Sequence, residues 1–395
     1  MTKRLLILAD AASSHTEKWC LALAEQGYTV GLFSLNHTEE KWYLKHKNIR
    51  VFHEPASWEH KPYLLTKLKY VFALSALKRI LADFAPDVLH AHYASSYGLL
   101  AALSGFKPFV LSVWGSDVFE FPKKSPIHKF ILKFNLAHAD QLLSTSHAMK
   151  HELGKYTNKP IKVIPFGVDT EVFSPKTIKT EALKACIHIG AIKSMEDGYG
   201  IKTIINAAHL LKRCAPEHNL TFHLIGSGKQ LNAYRKLVTK LYLTDRVVFT
   251  GKIPFSEIAQ CHAQLDVFLN VPLLNESFGV SVIEAMACEK PVIVSNAPGL
   301  VEIVNEQTGI IIKKDDVTEL VKAILHLVQN PEQRTKLGKA GREHVLSNYS
   351  FTSCLNKMMA VYFAVCQDSD AKSEKKIFGG LMPRYLHKVS RSKDS

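Results

Sequence analysis

The sequence predicts an α/β protein made of two doubly wound domains, each built on a parallel sheet. Three observations predict this fold: short apolar runs alternate with longer amphipathic stretches, the alternation stops once and then restarts, and each half contains six apolar runs. Strands that alternate with helices form right-handed βαβ units, which build a parallel sheet covered on both faces. At about 150 residues per domain, 395 residues leave room for two or three domains.

The first half forms one predicted domain over 1–170. Its first strand is followed by a helical pattern over 17–26 that ends at Gly27, and helical stretches separate the later strands. Ser146 follows the fifth strand, and we expect it to cap the next helix. The predicted strands are RLLILA (4–9), YTVGLFSL (28–35), DVLHAHY (87–93), FVLSVWG (109–115), QLLSTS (141–146) and IKVIPFG (161–167).

The periodicity breaks at 165–185, where two prolines, a glycine and the loss of apolar spacing indicate a linker, which we assign to 171–184. The alternation then restarts and predicts a second domain over 185–350. Its strands are ACIHIGA (185–191), LTFHLIG (220–226), RVVFTG (246–251), LDVFLNV (265–271), KPVIVS (290–295) and GIIIKK (309–314).

After residue 315 the pattern is helical. Pro331 suits a first helical turn, with Asn330 before it as the cap. A last helix over 351–367 is predicted to cross back to the N-terminal domain. The remaining residues, 368–395, lose periodicity and gain Lys, Ser, Gly and Arg, so we predict a basic tail.

Composition limits the classes of ligand and compartment. Fifty Lys and Arg against 36 Asp and Glu give a net charge of +14, which favours polyanions, phosphorylated ligands or an anionic membrane, with a solvated basic surface as the alternative. The seven cysteines are scattered and form no C-x-x-C pair, so neither a metal motif nor a disulfide framework is indicated. The apolar run Leu5 to Ala9 is too short for a signal peptide, and none approaches the roughly 20 residues of a membrane span. We therefore expect a cytoplasmic chain.

The segment NESFGVSVIEAMACEKPVIVSNAPGLVE at 275–302 carries the most chemical information. It follows one predicted strand and contains the next, so a loop and then a helix from Val280 to Cys288 must lie between them. The backbone N–H groups near Ser277 to Val280 would leave the carboxyl edge of the sheet and, with the helix dipole, form an anion site suited to a diphosphate. Gly279 lets the backbone approach the ligand closely.

Two glutamates, Glu276 and Glu284, flank this anion site in an E-x7-E spacing. Glu276 falls in the loop and Glu284 about one turn inside the helix. At a rise of about 1.5 Å per residue, their carboxylates would stand roughly 8–12 Å apart along one ligand. One can accept hydrogen bonds from a sugar and the other from ribose, with phosphates between them. Two solvated glutamates on a helix are the structural alternative.

This segment resembles the nucleotide-sugar site of the retaining glycosyltransferases of family 4, which have the GT-B fold of two Rossmann-like domains facing a cleft. The resemblance covers almost the whole chain, is weakest in the N-terminal half and is absent from the tail. It implies that Glu284 binds the ribose, that Glu276 binds the transferred sugar, and that the amides of Ser277, Phe278 and Gly279 hold the pyrophosphate. The turn at 296–299 resembles the turn that precedes a short helix lining the donor pocket.

The chain departs from the family where the second domain begins. The family usually has an arginine after the glycine and a lysine after the glutamate, where this chain has Ala191 and Asp197. Lys193 is the nearest candidate for a point charge beside the diphosphate, with a solvated loop lysine as the alternative. Gly226, in HLIGSGKQ, resembles the family's strand-to-helix turn at the donor, although a plain tight turn would show the same residues.

A second departure lies in LSVWGSDVF at 111–119, where the family usually has a histidine near the reacting sugar and this chain has Trp114. Tryptophan performs no proton transfer, but its ring can stack on a sugar face. Asp117, three residues later, either orients a hydroxyl group or anchors the loop.

The remaining acceptor candidates lie in the third predicted strand and in the loop after the first. Alternation places His90 and His92 on one strand face, with His92 at the carboxyl end, where an acceptor role and a structural role stay open. Ser14 and His15 lie in AASSHTEKW, where the family usually has a glycine-rich loop.

The resemblance implies front-face displacement, in which the leaving diphosphate takes the proton of the acceptor and the enzyme supplies positioning and charge stabilisation. Catalysis would then depend on Glu276, Lys193 and Asp117. No metal motif is visible, and we expect neither a metal nor another cofactor. The partners would be a nucleotide-sugar donor, UDP- or GDP-linked, and a saccharide or lipid-linked saccharide acceptor of polysaccharide, lipopolysaccharide or glycolipid synthesis.

Two basic amphipathic segments, 61–80 and 121–134, suit a helix lying on anionic lipid, so contact with the inner face of a membrane is a hypothesis. Helices that simply pack on the sheet are the alternative.

A nicotinamide oxidoreductase is excluded because residues 9–16 contain no glycine. No nucleic-acid-binding module is evident. The main rival is a catalytically silent GT-B protein that binds nucleotide sugars or acts as an interaction partner, since Trp114 and Ala191 replace polar groups.

Overall fold

The computed structural model describes residues 3–36, 41–53, 63–175 and 186–379. Within these residues the chain forms two parallel-sheet Rossmann-like α/β domains, as predicted. The strands are β1 (Arg4–Leu8), β2 (Thr29–Ser34), β3 (Ile49–His53), β4 (Val88–His92), β5 (Phe109–Val113), β6 (Gln141–Ser144), β7 (Ile161–Val163), β8 (Ile187–Ile192), β9 (Leu220–Ile225), β10 (Val247–Gly251), β11 (Val267–Asn270), β12 (Val292–Ser295) and β13 (Gly309–Ile312).

Helices follow most of the strands, as a parallel sheet requires. They are α1 (Ser14–Glu25), α2 (Tyr63–Phe84), α3 (Tyr97–Ser104), α4 (Ser116–Phe119), α5 (Pro126–His138), α6 (His147–Gly154), α7 (Ile201–Cys214), α8 (Leu231–Lys240), α9 (Phe255–Gln264), α10 (Val280–Ala287), α11 (Pro298–Val301), α12 (Val317–Gln329), α13 (Pro331–Asn348) and α14 (Phe351–Gly379). Short 3₁₀ turns lie at Trp42–Lys45 and Phe121–Lys123.

The first sheet has the strand order β3-β2-β1-β4-β5-β6-β7, and the second has the order β10-β9-β8-β11-β12-β13. In each sheet the strand that comes first in the chain, β1 or β8, lies inside the sheet. The next two strands are added on one side of it, and the later strands are added on the other side. The order therefore reverses between β1 and β4 in the first sheet and between β8 and β11 in the second. Such switch points are where open parallel sheets bind ligands, beyond the carboxyl ends of the strands.

The core of the second domain lies between its sheet and the apolar faces of its helices. Ile189, Phe222 and Val267, on three neighbouring strands, are buried with the apolar faces of α7 and α12. On the other face, α10 packs with α13. The helix α10 is apolar almost all round, because it is covered by the sheet, by α13 and by α9.

Two predictions about elements are corrected. The strand β3 was not predicted, because IRVFH is short and follows a polar stretch. The last helix does not end at 367 but continues to Gly379. Its extension, DSDAKSEKKIFG at 368–379, shows no helical spacing of apolar residues, and its three lysines are compatible with a helix. Of the predicted tail and linker, residues 380–395 and 176–184 lie outside the described residues. The predicted cap is confirmed: the Ser146 hydroxyl accepts the Met149 N–H at 3.0 Å.

By its internal contacts the chain divides into two compact units. One contains Met1–Ser112, Lys129–Leu142 and Asn356–Ser395, and the other contains Val113–His128 and Leu143–Leu355. The domain boundaries expected from the sequence stay a prediction. None of the helices that the structure describes is both long and apolar enough to span a bilayer.

Candidate active site

The candidate site lies at the switch point of the second sheet, where the loops after β8 and β11 meet. These loops are packed backbone to backbone. The N–H of Leu273 donates to the carbonyl of Gly198 at 2.8 Å, and a Cβ on Gly200 would lie 2.0 Å from the Val271 carbonyl oxygen. Gly198 and Gly200 both have positive φ, +83° and +78°, which glycine adopts without strain. The two predicted donor segments are therefore brought together.

An ion pair joins the two loops. The Lys193 ammonium group lies 2.5 Å from a Glu276 carboxylate oxygen, and each side chain is 17% exposed. The Lys193 Nζ also lies 5.1 Å from the centre of the Tyr199 ring, a cation–π distance. Burial, and then the negative charge of Glu276, raise the pKa of the Tyr199 hydroxyl. The predicted diphosphate cation and the predicted sugar carboxylate are thus direct partners, which the sequence did not indicate.

The loop that follows Glu276 presents free backbone donors. Within the described residues no acceptor takes the N–H groups of Ser277, Phe278, Gly279 or Val280. Gly279 precedes α10 with φ +100° and ψ 59°, and a Cβ there would lie 2.5 Å from Leu300. Phe278 is buried between the rings of Phe166 and Tyr349 and fixes the loop. These amides lie at the N-terminus of an eight-residue helix, where backbone donors and the helix dipole suit an anion, and diphosphate binding there stays a prediction.

Two glycines let neighbouring backbones support this loop. The Gly299 N–H, in α11, donates to the Glu276 carbonyl at 3.0 Å, and a Cβ there would meet Ser277 backbone at 2.5 Å. The Gly226 N–H is bonded to the Gly251 carbonyl, and a Cβ on Gly226 would lie 2.0 Å from the Lys193 carbonyl oxygen. Gly226 thus lies directly against the backbone of Lys193, and its role at the donor stays a prediction.

Glu284 lies inside α10, one turn beyond the free amides, as predicted. Its side chain is 9% exposed. The Nε2 atom of His262, from α9, lies 3.5 Å from the Glu284 carboxylate. His262 is fully buried on the inner face of α9. A histidine on the apolar face of a predicted helix could have drawn attention to it from the sequence.

Trp114 and Asp117 form a turn that contacts the donor loop. Both N–H groups at the start of the turn, those of Trp114 and Gly115, donate to the Asp117 carboxylate, at 3.1 and 2.8 Å. Asp117 is completely buried, which favours the loop-anchoring role over orientation of a hydroxyl. The Ser277 hydroxyl donates to the Trp114 carbonyl at 3.0 Å, and a Cβ on Gly115 would lie 3.0 Å from that hydroxyl oxygen. Trp114, half-buried against Phe166, therefore adjoins the candidate donor loop.

Ser14, His15 and His92 belong to the other unit. Ser14 is exposed at the first position of α1, and His15 follows it in the helix rather than in the loop. His92 ends β4, as predicted, but is only 3% exposed, which favours the structural role for it. His90 and His92 share one strand face, as predicted, and their ring centres are 4.4 Å apart.

Burial controls the titration of these histidines. It lowers the pKa of His92 to about 3, and the charge of His15 adds to the effect. It also lowers the pKa of His15 to about 4, with Lys18 contributing. The His90 ring is bonded at one nitrogen to the Tyr362 hydroxyl, at 2.7 Å, and at the other to the Ser112 hydroxyl, at 2.8 Å. His90 is thus used structurally.

Two polar contacts near the donor loop were not predicted from the sequence. The Lys314 ammonium group, after β13, donates to the Asn275 side chain at 2.9 Å, and burial lowers the pKa of this lysine. The Tyr199 ring, between two glycines, lies against the Lys193 ammonium group. An aromatic residue in a glycine-containing loop could have indicated such a contact from the sequence. In the described part of the chain no cluster of three or more His, Cys, Asp or Glu side chains would hold a metal ion.

Two family models match the chain. The model described as "Glycosyl transferase 4-like" matches residues 4–146, and the model described as "Glycosyl transferases group 1" matches residues 174–344. The second match contains the whole candidate donor site from Lys193 to Glu284.

Similar proteins are found by sequence and by structure. An uncharacterised glycosyltransferase of Methanocaldococcus jannaschii is 29% identical over 289 residues, 72% of this chain and 77% of that protein. The N-acetyl-alpha-D-glucosaminyl L-malate synthase of Bacillus anthracis is 24% identical over 88% of this chain and 92% of its own length. The crystal structure of Anabaena HepE with UDP-glucose superposes with a TM-score of 0.71 at 18% identity, over 91% of this chain and 99% of that one.

Proposed function

Because the chain belongs to the group 1 glycosyltransferases, with a family 4-like N-terminal region and the GT-B fold, we propose that it retains the anomeric configuration of the sugar it transfers. The donor is a UDP- or GDP-linked sugar, and the acceptor is a saccharide or a lipid-linked saccharide. The observation that carries the proposal is the meeting of Glu276, Lys193 and the free amides at one sheet switch point.

Each group at the site has a chemical task in this proposal. The leaving diphosphate, with two or more negative charges, lies on the amides of Ser277 to Gly279, where oriented N–H groups stabilise the charge that develops in the transition state. Lys193 adds a point charge beside it. Glu276 accepts hydrogen bonds from hydroxyl groups of the sugar, and Glu284 accepts them from the ribose. The two glutamates thus fix the ends of one ligand.

The bond changes take place on one face of the sugar. The bond from the anomeric carbon to the diphosphate oxygen breaks, and the acceptor oxygen bonds to the same carbon from the same side. The departing diphosphate oxygen takes the acceptor proton, so no protein base is needed. Trp114, beside Ser277, offers a ring face to a sugar in place of the histidine usual in the family.

A lipid-linked acceptor is favoured by charge and by one helix face. In α5, Phe130 is 68% exposed between the exposed Lys129 and Lys133, which suits contact with anionic lipid. Most side chains of the other basic segment, 61–80, lie outside the described residues. Co-sedimentation with anionic vesicles at low and moderate salt tests this part. The pair Lys129→Glu and Lys133→Glu should abolish binding, whereas Lys236→Glu and Lys240→Glu, equally spaced on α8, should not; absence of binding by the unaltered protein removes the idea.

Transfer itself is tested by release of nucleoside diphosphate from UDP- and GDP-sugars, with and without saccharide acceptors, and by proton NMR of the product anomer. We expect turnover with retained configuration, lost in Glu276→Gln and kept in Glu257→Gln, a change at an exposed glutamate of α9. An inverted product would contradict retention.

The second candidate function is a silent nucleotide-sugar-binding protein, favoured by Trp114 and Ala191 where the family has polar groups. Nucleotide binding with no turnover on any acceptor would support it. Slow hydrolysis of the donor that Glu276→Gln abolishes would exclude it.

A further inference from the structure

His262 has no explained role in the fold, although it is fully buried. Among the described residues, neither of its ring nitrogens has a hydrogen-bond partner. Buried polar atoms are nearly always paired in native proteins, so an unpaired one needs an explanation. The ring lies between two aromatic side chains, with centres 4.9 Å from Phe268 and 6.1 Å from Phe173. Neither of these phenylalanine rings can accept or donate an ordinary hydrogen bond to the imidazole.

The Glu284 carboxylate lies 3.5 Å from Nε2 of His262. This distance is about half an ångström beyond an ordinary hydrogen bond. The Glu284 side chain keeps 9% exposure, while His262 keeps none. The carboxylate therefore lies between the histidine and the accessible surface, and His262 contacts no ligand directly.

We propose that His262 is a positioning residue that orients Glu284 toward the donor ribose. In the donor-bound protein the Nε2–H closes this 3.5 Å gap, donates to one carboxylate oxygen and leaves the other lone pairs for the ribose hydroxyls. This proposal rests on the donor site proposed above, in which Glu284 binds the ribose. It adds to that site a second residue, because His262 on α9 and Glu284 on α10 would together discriminate ribose from deoxyribose.

The test compares UDP and GDP with their 2′,3′-dideoxy counterparts, by calorimetry on the full chain. We expect the unaltered protein to prefer the ribonucleotide by about tenfold or more, as lost hydrogen bonds to a charged group predict. His262→Phe fills the same aromatic site without a donor and should reduce that preference at least threefold, with unchanged affinity for the dideoxy compound. His262→Gln retains an N–H donor and should keep the preference. Should the phenylalanine variant not fold, His262→Leu replaces it.

The variants separate failure of this proposal from failure of the donor site. His262→Phe added to Glu284→Gln should change the preference no further, because both act through one carboxylate. A phenylalanine variant with full preference, or one that loses affinity for both nucleotides alike, overturns the role of His262 alone. If the unaltered protein has no preference, or Glu284→Gln leaves it intact, the ribose role of Glu284 is overturned, and that of His262 with it.

Discussion

The Lys193 ammonium group and the Glu276 carboxylate form an ion pair at 2.5 Å across the switch point of the second sheet. Both are largely buried, so each charge depends on the other for its stabilisation. The pair fixes the cation and the carboxylate beside the loop that carries the free amides of Ser277 to Val280. The glycines that bring the two loops together are therefore part of the site.

Removing the cation tests its catalytic task. Lys193→Met should lower kcat by about 10²- to 10³-fold, because the charge developing on the leaving diphosphate loses a stabilising group. Lys202→Met, at an exposed position of α7, is the matched control and should leave kcat unchanged. Steady-state release of nucleoside diphosphate measures both. A Lys193→Met enzyme with full kcat would show that Lys193 only pairs with Glu276.

The close approach at Gly226 should not tolerate a side chain. In Gly226→Ala the new Cβ would lie 2.0 Å from the Lys193 carbonyl, at φ +141°, so we expect the free energy of unfolding to fall by roughly 3 kcal/mol. Gly27→Ala, at φ +84° with no atom within 4 Å of the added Cβ, isolates the backbone strain and should cost only about 1–2 kcal/mol. Urea denaturation measures both, and equal losses would contradict the close contact.

Asp117 distinguishes anchoring from catalysis. Asp117→Ala leaves the buried N–H of Gly115 without its acceptor and should lower the free energy of unfolding by about 1–3 kcal/mol. Asp117→Asn keeps an acceptor oxygen, so kcat should stay within a few-fold of the unaltered enzyme. A fall of about 10²-fold in kcat in a stably folded Asn variant would instead favour a catalytic carboxylate.

The buried His92 predicts a loss of stability in acid. Its pKa is about 3 in the folded protein and about 6.5 when unfolded, so above pH 6.5 it is neutral in both states. Between pH 6.5 and 3 only the unfolded chain takes up the proton, and the free energy of unfolding falls as the pH falls. The expected loss at pH 5 is about 2 kcal/mol.

Substituting the histidine should remove this dependence. His92→Gln should flatten the change of unfolding free energy between pH 7 and 5 by that amount, measured with denaturant at several pH values. His151→Gln, at an exposed position of α6, should keep the full dependence. Identical pH profiles for His92→Gln and the unaltered protein would mean that His92 does not stay neutral in the fold.

The sequence predicted the two parallel sheets well, because their strands are buried on both faces and appear as apolar runs. It located Glu276 in the loop and Glu284 in the helix, since the strands on either side leave no other arrangement. It missed β3, whose five residues show no clear apolar run. It also ended α14 too early, because the residues after 367 lack the apolar spacing by which an amphipathic helix is recognised.

Local residue spacing did not predict the contacts between segments that are distant in the sequence. Nothing in local spacing pairs Lys193 with Glu276, 83 residues apart, or brings the Ser277 hydroxyl to the Trp114 carbonyl. The Lys193–Glu276 pair arises from the crossing order of the strands, which places β8 beside β11. The approach of His262 to Glu284 was not predicted either, because the two residues lie on different helices.

The most direct measurement is a crystal structure of the protein soaked with UDP or GDP. The diphosphate should be bound by the N–H groups of Ser277, Phe278 and Gly279, the ribose hydroxyls by the Glu284 carboxylate, and Lys193 should lie beside the phosphates. Electron density for the nucleotide at any other place, or a ribose that does not touch Glu284, would contradict the account.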